Sequence, residues 1–281
     1  MMRVLVTGVK GQLGSDIAAE LKLRAEECIG ADIADFDITD RGATVGTIKK
    51  YMPDCVIHCA AFTDVNGAEE KRGLCERINV LGTENVALAC AETGAKLIYI
   101  STDYVFNGEG MRPYEPDDER DPINFYGMTK SLGEDKVRSI CPKHFIVRTS
   151  WVFGKNGNNF VKTMLRLGEQ MEGLTVVDDQ IGSPTYTPDL ARLLCDMAAT
   201  ERYGTYHATN EGFCSWYDFA KKIMELSGIG CNIKPIASKD YPSPAKRPQN
   251  SRLSKEKLVQ NGFYKLPPWE DALKRFIKAL R

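Results

Sequence analysis

Val6-Thr7-Gly8-Val9-Lys10-Gly11-Gln12-Leu13-Gly14 sets three glycines at G-x-x-G-x-x-G spacing between a β-branched run, Arg3–Thr7, and a helical pattern over 11–24. Leu13, Ile17, Leu21 and Leu23 recur at roughly the spacing of one helix face. Each glycine has a physical task in such a turn. Gly8 allows a sharp exit from the strand, Gly11 lets backbone approach a diphosphate, and Gly14 lets the helix pack close to the sheet. The first-turn N–H groups then face an anion. A glycine-rich turn also occurs as a plain βα loop, so the reading rests on position: the end of the first strand, opening a helix. It predicts a dinucleotide site on Gly8, Gly11, Gln12, Leu13 and Gly14.

Outward from that turn, short apolar runs alternate with helical patterns through the first half of the chain. Strands are expected at 27–32, 55–60, 96–101 and 144–149. Thr39-Asp40 can cap a helix that stops before Pro53, a long helical tract covers 68–93 with a break near Gly73, and another helix covers 126–139. This alternation predicts an α/β fold, a Rossmann-type doubly wound parallel sheet over residues 1–150. After Thr149 turn signals become dense, and helices are expected at about 158–170, 188–200, 214–227 and 268–280. The expectation is a smaller, helix-rich C-terminal substrate domain over 151–281, with a stretch at about 180–205 able to rejoin the first sheet.

Asp32 follows the second strand, 18 residues after Gly14, near the spacing of the acidic residue that bonds a ribose 2′-hydroxyl. A carboxylate there repels a 2′-phosphate and favours NADH over NADPH, while Lys10 could still meet a phosphate. The coenzyme is therefore read as NADH or NADPH, with NADH slightly favoured.

Composition narrows the partners. The 281 residues carry 37 Lys plus Arg against 38 Asp plus Glu, a net charge of −1, which predicts neither nucleic acid nor a membrane surface as partner. No apolar run approaches the length of a membrane helix, and the N-terminal run is too short for a secretory signal, so a cytoplasmic protein is expected. The nine cysteines include no C-x-x-C pair and read as reduced core thiols rather than a metal site.

Two further features point to chemistry. Tyr126-Gly127-Met128-Thr129-Lys130 stacks a phenol and an ammonium on one helix face at i, i+4. A tyrosine that exchanges protons near neutral pH needs a cation beside it, and Lys130 supplies one. Upstream, Ser101-Thr102-Asp103-Tyr104 ends a strand with hydroxyls at the edge where open α/β sheets bind ligands. There Thr102 could hydrogen-bond a substrate carbonyl together with Tyr126.

Taken singly these patterns are weak. Their order, glycine loop, acidic strand end, Ser/Thr strand end and Y-x-x-x-K, resembles the extended short-chain dehydrogenase/reductase superfamily. Ile78-Asn79-Val80-Leu81-Gly82-Thr83 is similar to its helix beside the coenzyme, and Cys59-Ala60-Ala61-Phe62-Thr63 to its nicotinamide-side strand end. Within it, Ser101-Thr102-Asp103-Tyr104-Val105-Phe106, Arg148-Thr149-Ser150-Trp151-Val152, Gly157-Asn158-Asn159-Phe160 and Arg247-Pro248-Gln249-Asn250-Ser251-Arg252-Leu253 together resemble the dTDP-4-dehydrorhamnose reductases.

That resemblance implies reduction of the C4 ketone of dTDP-4-dehydro-L-rhamnose, with hydride from the nicotinamide and a proton from Tyr126. It implies Tyr126, Lys130 and Thr102 as catalytic residues, and Asp37, Ile38, Ala60, Ala61 and Thr63 along the coenzyme with those named above. Thr102, Asp103, Tyr104, Trp151, Asn159 and Arg247 are implied on the sugar nucleotide, Trp151 against the hexose and Arg247 at the diphosphate. Other sugar-nucleotide 4-ketoreductases and epimerases share the superfamily features. Similar dehydratases carry an acid directly after Thr-Asp, where this chain has Tyr104. A binding protein similar to the regulatory subunit of methionine adenosyltransferase is the non-enzymatic alternative, and the presence of Thr102, Tyr126 and Lys130 speaks for an enzyme. Some members are magnesium-linked dimers through acidic C-termini. The tail here, Leu273-Lys274-Arg275-Phe276-Ile277-Lys278-Ala279-Leu280-Arg281, is basic, which speaks against the metal-bridged dimer; no metal ligand is assigned, Mg2+ is possible but not supported by the sequence, and the chain is read as a monomer or homodimer.

Overall fold

Six parallel strands form the centre of the computed structural model, which describes residues 1–280; Arg281, the end of the basic tail, lies outside the described residues. Five come from the first half: β1 (Arg3–Thr7), β2 (Glu27–Ala31), β3 (Cys55–His58), β4 (Lys96–Thr102) and β5 (His144–Thr149). The sixth, Gly204–His207, comes from the second half. Their spatial order is β2, β1, β3, β4, β5 and then Gly204–His207. The direction of winding reverses between β1 and β3, where doubly wound sheets open a crevice for ligands.

The connecting helices are α1 (Gln12–Leu23), α2 (Arg41–Tyr51), α3 (Val65–Glu70), α4 (Arg72–Glu76), α5 (Thr83–Thr93) and α6 (Phe125–Ile140). Every residue of β3 is buried, as a strand covered by helices on both faces must be. Asp40 caps α2, its side chain accepting from Ala43 N–H at 2.9 Å. The expected long helix at 68–93 differs in detail. It breaks at Lys71 rather than Gly73, and Arg77–Gly82 is a π-helical turn. That wider turn aims Asn79 inward, where its side chain bonds the Phe62 N–H, the Phe62 carbonyl and the Thr129 hydroxyl.

The second half builds its own aromatic-rich core. α7 (Phe160–Gln170) and α9 (Trp216–Ser227) pack with helix Trp269–Leu280 around Phe153, Phe219 and Phe276. Strand Gly173–Val177 pairs with Asn232–Ile236 in parallel. Between these, α8 (Thr187–Ala198) returns to the first core, packing beside α1. No helix of the described residues is long and apolar enough to cross a membrane.

A buried ion pair fixes α6 on the sheet. Arg148 of β5, 1% exposed, donates through Nε and Nη2 to the two oxygens of Glu134 of α6, each at 2.8 Å, and through Nη1 to the Pro116 carbonyl at 2.9 Å. Burial alone would raise the Glu134 carboxyl, but Arg148, with help from Ser101 and Arg138, holds it down at about 2. The stabilisation from this depressed pKa is therefore complete above the ordinary value of 4.5 and is lost as pH falls through about 2. Arg148→Met should cost about 3–5 kcal/mol at neutral pH because it strips a buried carboxylate of its bidentate partner and leaves it Ser101 and the half-buried Arg138 as hydrogen-bond partners, while Glu134→Leu in the same chain should restore most of that loss. Urea midpoints at constant slope measure both; a single variant as stable as the double one would contradict the assignment.

Candidate active site

Two loops meet at the crevice between β1 and β3. Gly8 has φ +66°, and a Cβ there would lie 2.9 Å from Ala60 N, so only glycine permits this approach. Thr7 ties the loops from below: its hydroxyl lies 2.7 Å from His58 Nδ1 and accepts from Ala60 N–H at 3.2 Å. Burial, with the nearby Lys130 charge, lowers His58 to about 3, so it is a neutral strut. Gly11 offers no side-chain cap to α1, which leaves first-turn amides along the crevice.

The Tyr126–Lys130 pair is set from the other side. Asn124 caps α6 by accepting from Gly127 N–H at 2.8 Å, and its Nδ2 donates to the Lys246 carbonyl at 2.9 Å. A Cβ on Gly127 would sit 2.1 Å from Tyr104 O, so glycine lets α6 close on the turn that follows β4. Glu69 accepts from Phe125 N–H at 2.8 Å and anchors the start of the same helix.

These elements enclose one cavity of about 1360 Å³. It is lined by every residue expected on the coenzyme: Gly8, Gly11, Gln12, Leu13, Gly14, Asp32, Asp37, Ile38, Ala60, Ala61, Thr63, Tyr126 and Lys130. Thr102, Asp103, Tyr104 and Trp151 line it too. Arg247 lies instead on a second cavity of about 900 Å³, and Trp216 lines both. Arg247 is held by Asn66 Oδ1 at 3.1 Å and by the Ser243 hydroxyl, and it acts on the Tyr104 phenol. Asn159 faces neither cavity. Its Oδ1 caps α7, and its Nδ2 donates to Gln12 Oε1 and to the Gly154 carbonyl, both at 2.9 Å. A third hollow, at the opposite end of the sheet beside Pro53 and Lys96, is remote from these residues.

The electrostatics differ from the simple expectation. Burial and the Asp103 carboxyl raise the Tyr126 phenol well above its ordinary 10, which keeps it a proton carrier. Burial lowers the Lys130 ammonium to about 7, against the pull of Glu134. Its Nζ lies 4.0 Å from the centre of the Tyr99 ring. Lysine is thus poised to gain or lose its proton near neutrality rather than being a fixed cation.

Trp151 has φ +49°, a left-handed conformation that costs about 1–3 kcal/mol in a non-glycine residue and concentrates at functional sites. Its ring stacks on Trp216, with centroids 3.7 Å apart. Trp216, Asn124 and Asn79 have individual roles that no motif in the sequence assigns. Asn124 has a local signal, an Asn just before the helix, whereas Trp216 meets Trp151 only through folding. Among the described residues no group of three or more His, Cys, Asp or Glu side chains is placed to hold a metal ion.

The chain matches the family model described as the RmlD substrate binding domain over residues 2–281. It is 41% identical to the spore coat polysaccharide biosynthesis protein SpsK of Bacillus subtilis, covering 99% of this chain and 98% of that one. It is 40% identical to a dTDP-4-dehydrorhamnose reductase of Mycobacterium tuberculosis, over 96% and 91% of the two chains. The crystal structure of a dTDP-4-dehydrorhamnose reductase from Bacillus anthracis in complex with NADP superposes with a TM-score of 0.97, at 44% identity and 99% coverage of both chains.

Proposed function

The chain belongs to the RmlD substrate binding domain family, and on that premise we propose that it reduces the C4 ketone of dTDP-4-dehydro-L-rhamnose to dTDP-L-rhamnose with NAD(P)H. The observation that carries the reading is the single cavity in which a glycine-loop helix terminus meets Tyr126, Lys130 and Thr102.

The glycine loop fits a dinucleotide. A Cβ at Gly14 would lie 2.3 Å from Gly8 O, and first-turn amides of α1 border the space beside it. Gly8, Gly11, Gln12, Leu13 and Gly14 would hold the diphosphate, Asp32, Asp37 and Ile38 one ribose end, and Ala60, Ala61 and Thr63 the nicotinamide side. When bound, the reduced coenzyme supplies hydride. Tyr126 gives its phenolic proton to the oxygen at C4 as negative charge develops there. Lys130 stabilises the phenolate left behind and, with a proton held near neutrality, can restore it. Trp151 and Trp216 wall the hexose end. Arg247 reaches the diphosphate from the second cavity, whose apolar side, Phe160, Met164 and Val176, suits a nucleoside. Asn159 acts at one remove, by fixing Gln12.

The partner is a small nucleotide sugar. We place the reaction in the cytoplasm, where nine unpaired thiols stay reduced, and read the chain as a monomer or homodimer. The test is oxidation of NADH or NADPH by the purified chain on addition of the keto-sugar nucleotide, one coenzyme per sugar. Coenzyme that is bound but recycled, with no net oxidation, would instead mark an epimerase.

Asp32 sets a further expectation. Its carboxylate accepts from Lys10 N–H at 3.1 Å and Ile33 N–H at 2.9 Å, which fixes it at the cavity wall proposed for a ribose. Asp32→Ala should raise the NADPH-to-NADH ratio of kcat/KM by about tenfold, about 1.4 kcal/mol. An unmoved ratio means Asp32 does not read the ribose.

A further inference from the structure

Thr102 and Asp103 follow one another at the end of β4, and the direction of one hydrogen decides what the threonine can do. A threonine hydroxyl has one hydrogen and two lone pairs. The hydrogen goes to Asp103 Oδ1 at 2.9 Å, and one lone pair accepts from Tyr104 N–H at 3.2 Å. What remains is a lone pair beside the Tyr126 phenol. In that arrangement Thr102 is an acceptor, and it competes with a ketone oxygen for the proton of Tyr126 instead of polarising the ketone. Asp103 is 3% exposed. Its Oδ2 has no partner of hydrogen-bond geometry among the described residues; the Ser251 hydroxyl nearby favours the charged form, and burial outweighs it. An unpartnered buried carboxylate oxygen penalises the charged form and suits a carboxyl that carries a proton.

We propose that Asp103 is a positioning residue that turns the Thr102 hydroxyl. As an acid it donates to Thr102 and frees the threonine hydrogen for the C4 oxygen; as a carboxylate it holds that hydrogen away. The proposal rests on the reductase reading and adds control by protonation to that site. Burial pushes the Asp103 carboxyl up to about 6, within reach of such control. The groups that face it are Tyr104 on its own turn, Tyr126 from α6 and the Ser251 hydroxyl from strand Asn250–Ser251, with Arg247 acting on Tyr104. Lys130 lies one turn along α6 from Tyr126, and Asp103 is not among the groups that shift it.

The experiment compares kcat for keto-sugar reduction in wild type and Asp103→Asn between about pH 5 and 8. Asparagine has the same shape and a permanent donor, so it mimics the acid. The ratio of variant to wild-type kcat, taken relative to its own value at the acid end, should rise about tenfold per pH unit once the carboxyl ionises. A limb due to Lys130 is common to both proteins and cancels in the ratio. In a Thr102→Val background the same Asn substitution should lose most of that rise, leaving only the direct effect of the Asp103 charge on the Tyr126 phenol. A flat ratio, a more than tenfold loss of kcat in the Asn variant at every pH, an effect confined to KM, or a rise that is undiminished without the Thr102 hydroxyl would each overturn the proposal. Wild-type turnover at a single pH reports separately on the reductase reading.

Discussion

Tyr126→Phe should lower kcat for keto-sugar reduction by about 10²–10⁴-fold, the usual loss when a positioned general acid is removed, while the coenzyme Kd stays within about threefold. The phenol borders the cavity and is kept protonated by burial and by Asp103. With Asp103 ionised, the neighbouring Thr102 hydroxyl donates to it, so above the Asp103 transition nothing at the same spot replaces the lost proton. The glycine loop is untouched by the substitution. Single-turnover kinetics and a fluorescence titration with NADPH separate the two effects. A variant with unchanged kcat would remove Tyr126 as the proton donor, and a variant that no longer binds coenzyme would mean the phenol is chiefly a wall of that site.

Gly14→Ala should act in the opposite way, on binding before chemistry. An added Cβ would lie 2.3 Å from Gly8 O and 2.8 Å from Val9 Cα. Both obstacles are backbone, so α1 has to move away from the glycine loop and its first-turn amides move with it. Coenzyme Kd should rise about 100-fold, about 2.7 kcal/mol, with a loss of stability of about 1–3 kcal/mol from the overpacked contact. Gly46→Ala is the control: it lies in α2 with open space around it, and alanine there should be neutral or stabilising by up to about 1 kcal/mol. Equal coenzyme affinity in Gly14→Ala and wild type would show that α1 does not present its amides to the dinucleotide.

Local chemistry explains what was legible before folding. The inner strands of the central sheet, β1, β3, β4 and β5, are largely buried and so read as short apolar runs, and Asp40 announces its helix by side-chain capping. The G-x-x-G-x-x-G turn and the Tyr126–Lys130 spacing are likewise local, and both patterns line one cavity. What the chain does not spell out depends on residues far apart. The sixth strand pairs Gly204 with Phe145, a partnership no window of sequence contains. Trp216 covers Trp151 across 65 positions, and Asn159 meets Gln12 across 147. Asn159 shows the limit of reading by motif alone: Asn-Asn before an apolar run is also an N-cap signal, and its side chain is used for that cap. The widened turn at Arg77–Gly82 is a tertiary effect as well, tied to the hydrogen bonds of Asn79. At Thr102 the residue type indicates a hydroxyl at the site, but only the adjacent buried carboxyl shows which way its hydrogen points.

The most direct measurement of the central claim is the fate of the transferred hydrogen. The chain is incubated with dTDP-4-dehydro-L-rhamnose and NADPH, or NADH, deuterated at the reactive C4 position of the nicotinamide, and the sugar is analysed by mass spectrometry and proton NMR. One deuterium per product sugar is expected, located at C4 of the hexose, with one oxidised coenzyme formed for each. Unlabelled sugar with no coenzyme oxidised, or solvent hydrogen exchanged at C3 or C5 without reduction at C4, would contradict it.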